Sequence, residues 1–396
     1  MKLNMKLWFG GTILLTVSIL TIVVLDRIGI GPNLALPFGY YGKLNRILSH
    51  IEDNTASLVG RLQRRGIGVT AVTKAVRGNI PIVQAMLAGG ARGLADSRVA
   101  TLAAMRRVGV AAPATQLRTP MASETAQVVA WADTSFNTEP VILASLSKAA
   151  GHAGRTHGVI LAVELGDLRE GIMPEDLPAV LACAMSLPHL QVRGLGANLA
   201  CRNGVVPDEV NMAVLDRLVG DCETTLGHPL EVVSGGNSAN LSWALHTQDV
   251  GRVNDLRLGE ALLLGRDPLD RRPIAGLHQD AFTLVAEVIE SGMKPSAPWG
   301  RRGETANGPG EAPLDCGPIA QSILAIGRQD IDPEGLVPPD GVAIIGCSSD
   351  HLLVRTAHPM VVGSQLSFGL GYGALVRAMT SPFVAKRFMG RALLPA

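Results

Sequence analysis

Eight times between Val69 and Leu258 a short β-rich run gives way to a stretch with apolar residues at three- and four-residue spacing. That alternation restricts the fold more than any other feature. The runs expected to be strands are Val69–Thr73, Gly93–Ala95, Thr115–Leu117, Thr134–Phe136, Val159–Leu165, Val192–Gly196, Glu231–Ser234 and Val253–Leu258. Between them, one helical pattern passes through Ile82, Ala85 and Met86 and stops at Gly89-Gly90. Another covers Ser97–Val108, and a third opens on Pro207-Asp208-Glu209 and continues to Leu226, with acids where a helix N-terminus favours them. Eight β/α units are the number that closes a parallel (β/α)8 barrel of the TIM type. An open doubly wound sheet is the alternative. It usually carries Gly-x-Gly-x-x-Gly after its first strand, and Lys74-Ala75-Val76-Arg77-Gly78 follows here instead. From Phe282 the alternation stops. Phe282–Ile289, Val342–Ile345 and Val361–Phe368 predict strands of a smaller β domain, with a Pro/Gly-rich stretch from Gly292 to Pro318 after the first.

The chain of 396 residues is 47% hydrophobic and 17% charged, enough for a large core and too apolar for a disordered polymer. A net charge of +1, with both signs interspersed, supplies no field for nucleic acid. Five scattered cysteines without a C-x-x-C pair exclude a disulfide framework and a zinc site of the usual spacing. The N-terminus stands apart. Leu7 to Leu25 is uncharged, with Lys2 and Lys6 before it and Asp26-Arg27 after, a length sufficient for a membrane-spanning helix. The expected layout is therefore an anchor or signal-like helix over 1–28, a linker over 29–42, the barrel over 43–278 and the β domain over 279–396. The lysines place the N-terminal end in the cytoplasm and the body outside, in the periplasm. A misassigned start would instead leave the protein cytoplasmic.

In a barrel of this kind chemistry gathers where strands end. Lys74 follows the apolar Val69–Thr73 run, so its ammonium is expected in a cleft, where desolvation lowers its pKa and favours imine formation with an aldehyde. Ser234-Gly235-Gly236-Asn237-Ser238 is a loop whose glycines let backbone N–H groups approach a phosphate. Arg169, in Gly166-Asp167-Leu168-Arg169-Glu170-Gly171, offers a planar fork for a carboxylate. A salt bridge to Asp167 or Glu170 is the plainer reading. A lysine, an anion loop and arginines at the same strand ends are what an amine enzyme using pyridoxal 5'-phosphate (PLP) needs. Cys201 is expected to be a packed small residue.

Taken together, Val72-Thr73-Lys74, Leu94-Ala95-Asp96-Ser97-Arg98, Gly166 to Gly171, Asn198-Leu199-Ala200-Cys201, Ser234 to Ser238, Leu256-Arg257-Leu258-Gly259-Glu260 and Ser348-Ser349-Asp350-His351 resemble the alanine/ornithine racemase-like family of fold-type III PLP enzymes. The ornithine racemase branch is nearest, and the resemblance runs from about Leu44 to the C-terminus. It implies an amino-acid racemase exchanging the Cα proton through an external aldimine, with ornithine, alanine or a related substrate, working as a homodimer. It implies that Lys74 carries PLP, that Arg169 meets the substrate carboxylate, and that Asn237, Ser238 and Gly259 grip the phosphate. Arg257 then faces the pyridine nitrogen, and Asn198 stands where alanine racemases stack a histidine on the ring. The second acid/base is Tyr372, which is also a candidate cofactor contact, or Asp350 with His351. No metal is implied. A departure is Arg355, where the ornithine branch tends to carry an acid. A decarboxylase or aldolase on the same scaffold, or a non-catalytic PLP-binding protein, are the rival functions.

Overall fold

The computed structural model describes residues 40–304 and 314–389. Among the described residues the contacts divide into two compact units, Leu48–Ala281 and a second made of the residues up to Ile47 together with those from Phe282. The first contains eight parallel strands closed on themselves. They are β2 (Gly68–Val72), β3 (Gly93–Asp96), β4 (Ala114–Gln116), β5 (Thr134–Asn137), β6 (His157–Val163), β7 (Leu190–Ala197), β8 (Val232–Ser234) and β9 (Asp255–Leu258). The ring closes where β9 pairs with β2, Thr70 opposite Arg257. The open-sheet alternative is thereby excluded.

The local reasons are those of any parallel barrel. β6 is buried along its whole length, because helices cover one face and the barrel interior the other. Phe136, Ile160 and Ala162 pack inside, with Leu117 and Val232 against them. β7 and β8 approach so closely that a Cβ on Gly194 would lie 2.0 Å from the Val232 carbonyl oxygen, which leaves glycine as the only residue for that position. The helix Glu209–Leu226 starts as the acids predicted. Asp208 accepts from the Asn211 N–H at 2.8 Å and Asn211 returns a bond to the Asp208 N–H, a reciprocal cap.

The second unit is an eight-stranded sheet. β1 (Gly42–Ile47) pairs antiparallel with β10 (Phe282–Pro295) and parallel with β16 (Val384–Met389). The remaining strands are β11 (Pro318–Leu324), β12 (Leu336–Val337), β13 (Ala343–Cys347), β14 (Leu352–Thr356) and β15 (Gln365–Leu370), in the order β12-β15-β10-β11-β14-β13. Phe282, Leu284, Phe368, Leu352 and Val354 are buried in it. The helix Tyr372–Thr380 belongs to this unit. Gly42–Ile47 thus joins the β sheet, since its backbone is satisfied by strands more than 200 residues later in the chain.

The membrane-anchored, periplasmic body expected above is corrected. No helix among the described residues is long and apolar enough to cross a membrane, so membrane anchoring has no support. The N-terminal span on which that expectation rested lies outside the described residues.

Candidate active site

Four stretches meet at the C-terminal mouth of the barrel, and polar side chains tie their backbones in place. Lys74 opens a single 3-10 turn, Lys74–Val76, directly after β2. Thr73, buried behind it, donates from Oγ1 to Asp96 Oδ2 at 2.8 Å, and Asp96 Oδ1 accepts from the Arg98 N–H. The Lys74 side chain is open to solvent on one side while protein surrounds its base. Burial pushes its pKa below that of an ordinary lysine, Arg169 adds to this, and Cys201, Glu170 and Asp96 act in the opposite sense.

Arg169 sits in a loop shaped by two carboxylates that accept backbone N–H groups. Glu164 Oε1 accepts from Gly166 at 2.6 Å and Leu168 at 3.0 Å. Asp167 accepts from Cys201 and Arg202 on Oδ2, at 3.0 and 2.9 Å, and from Asn203 and Val205 on Oδ1, at 3.0 and 3.4 Å. Desolvation works against the Asp167 anion, but the four N–H bonds prevail and lower its pKa. Leu168 and Ala200, at φ 52° and 58°, are held in the left-handed region that side chains avoid, and that strain persists because Asp167 joins the two loops. Arg169 pairs with Glu170, not with Asp167.

Cys201, expected to be packed, is exposed. Asn237 Nδ2 donates to its Sγ at 3.5 Å, and it lies close enough to Lys74, Arg169 and Arg257 to interact with the charge of all three. The chain turns at Ala200 and ties Cys201 by its backbone to Asp167, so the side chain is left at the mouth.

The Ser234–Ser238 turn is locked by Asn240, which donates to the Gly235 carbonyl and accepts from the Asn237 N–H. A Cβ on Gly236 (φ 144°) would fall 2.0 Å from Asn240 Oδ1, so the glycine is required by the cradle itself. Ser238 Oγ accepts from the Gly259 and Ala261 N–H groups at 3.4 and 3.3 Å, which brings this turn to the end of β9. Asn237 Nδ2 donates to Asn198 Oδ1 at 3.1 Å and to the Leu199 carbonyl at 2.8 Å. Since Asn237 Oδ1 is taken by the Ala239 N–H, both amide orientations are set, and the buried Nδ2 of Asn198 is left without a partner. Arg257, inside the barrel below them, has its pKa lowered by burial, with Asp255 opposing.

Lys74, Arg169, Asn198, Asn237, Ser238, Arg257 and Gly259 all belong to the barrel unit. Asp350, His351 and Tyr372 belong to the β unit. There Asp350 Oδ1 accepts from His351 Nδ1 at 2.9 Å, in a tip where the His351 N–H also bonds Ser348 Oγ. Tyr372 begins the helix Tyr372–Thr380.

The alanine racemase N-terminal domain model matches residues 47–267. The chain belongs to that family. It is 34% identical over 350 residues to a lysine racemase of Thermotoga maritima, covering 87% of this chain and 98% of the relative. It is 33% identical over 354 residues to an ornithine racemase of Acetoanaerobium sticklandii, covering 88% and 100%. Among solved structures, alanine racemase from Streptomyces lavendulae superposes with a TM-score of 0.69 at 17% identity, covering 89% of this chain and 98% of that one, a likeness of fold. With this family membership and these relatives, the protein is an amino-acid racemase, an isomerase of a PLP-dependent family.

Members of the family use PLP, and the mouth of this barrel suits it. It combines a lysine of lowered pKa, a glycine cradle that a Cβ would fill, and an orphaned buried amide donor at Asn198. Sequence reasoning missed Asp167 as the tie between two loops, because four N–H donors from residues 201–205 are invisible until the loops meet. It also missed Ser234 and Asp255 behind Arg257. The alternation of inward side chains along Asp255-Leu256-Arg257 was the available signal.

Proposed function

We propose that this racemase carries PLP on Lys74 and interconverts the L and D forms of ornithine, alanine or a related amino acid. The observation that carries the reading is the convergence of Lys74, Arg169 and the Asn237–Ser238 turn on one barrel mouth, with Arg257 inside the barrel below them. PLP, when bound, is an electron sink that acidifies the Cα proton of an amino acid joined to it. Lys74 moves a proton at Cα on one face, and the burial that lowers its pKa favours the neutral amine which that step needs. Arg169 orients the substrate carboxylate, and Glu170 holds the guanidinium in place while offsetting its charge. Asn237, Ser238 and the Gly259 N–H hold the phosphate. Asn198 would offer its orphaned Nδ2 to the bound cofactor. Arg257, a cation, disfavours a proton on the pyridine nitrogen, which suits simple proton exchange over reactions that need a long-lived carbanion.

Proton exchange on the opposite face requires a second group. We assign it to the β unit of a second copy in a homodimer, at His351 or Tyr372. The bond from His351 Nδ1 to Asp350 fixes the tautomer and leaves Nε2 as the basic nitrogen. Arg355 lies on β14, and an arginine there suits a neutral or acidic side chain better than the second amine of ornithine.

The test is chiral chromatography of the purified protein with L-alanine, L-ornithine and L-lysine, in D2O. D-product with solvent deuterium at Cα and no carbon dioxide supports the reading. Lys74→Ala should lose both turnover and the cofactor's absorbance near ~420 nm. Full turnover in that variant, or cleavage products in place of D-amino acid, rejects it.

A further inference from the structure

The far end of the same barrel shows how Arg257 is held. The N-terminal mouth opens on a cavity of about 220 Å³ lined by residues that include Arg92, Asp133, Arg193, Glu231, Asp255 and Arg257. From that mouth inward, Arg92 Nη2 lies 2.9 Å from Asp255 Oδ1. The same oxygen accepts from Thr70 Oγ1 at 2.7 Å. Asp255 Oδ2 accepts from Ser234 Oγ at 2.6 Å, and Ser234 Oγ in turn accepts from Arg257 Nη1 at 2.5 Å. Arg257 Nη2 donates to the Ala197 carbonyl at 2.6 Å, and Phe136 stacks 4.6 Å from the guanidinium carbon. Asp255, Ser234 and Arg257 are 3%, 0% and 6% exposed, so protein groups are their main partners.

The register explains why a serine is in the line. Asp255 and Arg257 are two residues apart on one strand, roughly 6.6 Å along it, with both side chains directed inward. Ser234 pairs directly with Asp255 from the neighbouring strand β8, and its hydroxyl, which both donates and accepts, fills the gap between anion and cation. A buried guanidinium is costly without a compensating anion, and Asp255 supplies it. Both terminal nitrogens of Arg257 are thereby engaged from below and beside. Among the described hydrogen bonds its Nε alone has no protein acceptor.

We propose that Asp255 and Ser234 are positioning residues which fix the orientation and the charge of Arg257, so that its Nε edge is presented to the cofactor's pyridine nitrogen, with Arg92 anchoring the relay from the opposite end of the barrel. This rests on the PLP reading above. The relay runs along strands β8 and β9, so a charge change at the N-terminal mouth reaches the cofactor without any loop movement. A buried ion pair that serves the fold alone would have no such effect.

A double-mutant cycle separates the two. The dissociation constant of PLP is measured by titrating apoprotein with the full chain as wild type, Asp255→Asn, Arg257→Gln and the double variant, and thermal midpoints are recorded for each. Asp255→Asn should weaken PLP binding ~10-fold when Arg257 is present and less than ~2-fold when it is glutamine. Ser234→Ala, which removes only the connector, should show the same pattern at ~3-fold and replaces Asp255→Asn if that variant does not fold. Equal losses in both backgrounds refute the relay, whatever happens to the thermal midpoint. A wild-type chain that takes up no PLP refutes the cofactor reading, and the relay with it.

Discussion

Asp167→Asn is the sharpest probe of how the barrel mouth is organised. The carboxylate accepts four backbone N–H bonds, two on each oxygen. An asparagine keeps one oxygen and turns an NH2 toward the other two donors. Two charge-assisted bonds are then lost, each worth ~1.5–3 kcal/mol in a dry setting, and two N–H groups face a donor. The loops lie at the surface, where water recovers part of that cost, so the net penalty is ~3 kcal/mol. It falls on the contact between loops 166–171 and 199–205. These carry Arg169 and Cys201, and their left-handed Leu168 and Ala200 relax once the tie is released. If the joined state is the competent one, kcat/KM falls ~100-fold. The melting transition moves little, because the opening is local. The assay is racemisation kinetics on the substrate found by the chiral panel, beside a thermal melt. Activity within threefold of wild type would show that the loop tie does not position Arg169, and the reasoning fails.

His157 is buried against Ser135, at 2.9 Å, and burial first, then Arg155, lowers its pKa to about 4. Its neutral form belongs to the folded state. The stability it contributes is therefore complete above pH 6.5 and is lost as pH falls toward 4, by roughly 3 kcal/mol in all. Urea titrations across that window should show the slope, and His157→Gln should flatten it; an unchanged slope contradicts the assignment. Arg169→Lys keeps the charge but loses the fork, and is expected to raise KM ~10-fold with a smaller change in kcat; an unaltered KM removes Arg169 from the substrate carboxylate. Gly194→Ala pushes a methyl against the Val232 carbonyl and should cost ~3 kcal/mol in denaturant stability, with a near-neutral result disproving the close approach of β7 and β8.

Much of the barrel was legible in the sequence, and with it the positions of the candidate site residues. Lys74, Arg169, Asn198, Asn237, Ser238 and Gly259 all follow strand ends, with Arg257 inside β9, and an eightfold repeat of strand and helix brings such ends to one mouth whatever the details of packing. The β unit was read less well. β11, β14 and the helix Tyr372–Thr380 were not anticipated, since a sheet whose order is β12-β15-β10-β11-β14-β13 is held by pairings between distant segments. Gly42–Ile47 is the plainest case. Its partners are β10 and β16, and nothing within the six residues announces either.

What the sequence determined by itself was periodicity: alternation of short apolar runs with helical spacing, and polar tips that recur where the runs stop. These are local properties, fixed by backbone geometry over a few residues. What only the tertiary structure decided was which polar groups satisfy which. Asp167 chose four amides over the neighbouring arginine, and Asp255 reached Arg257 through a serine on another strand. Such choices follow from burial. A carboxylate or guanidinium taken from water must find partners among whatever the fold brings within about 3 Å, and that set does not exist until the barrel closes.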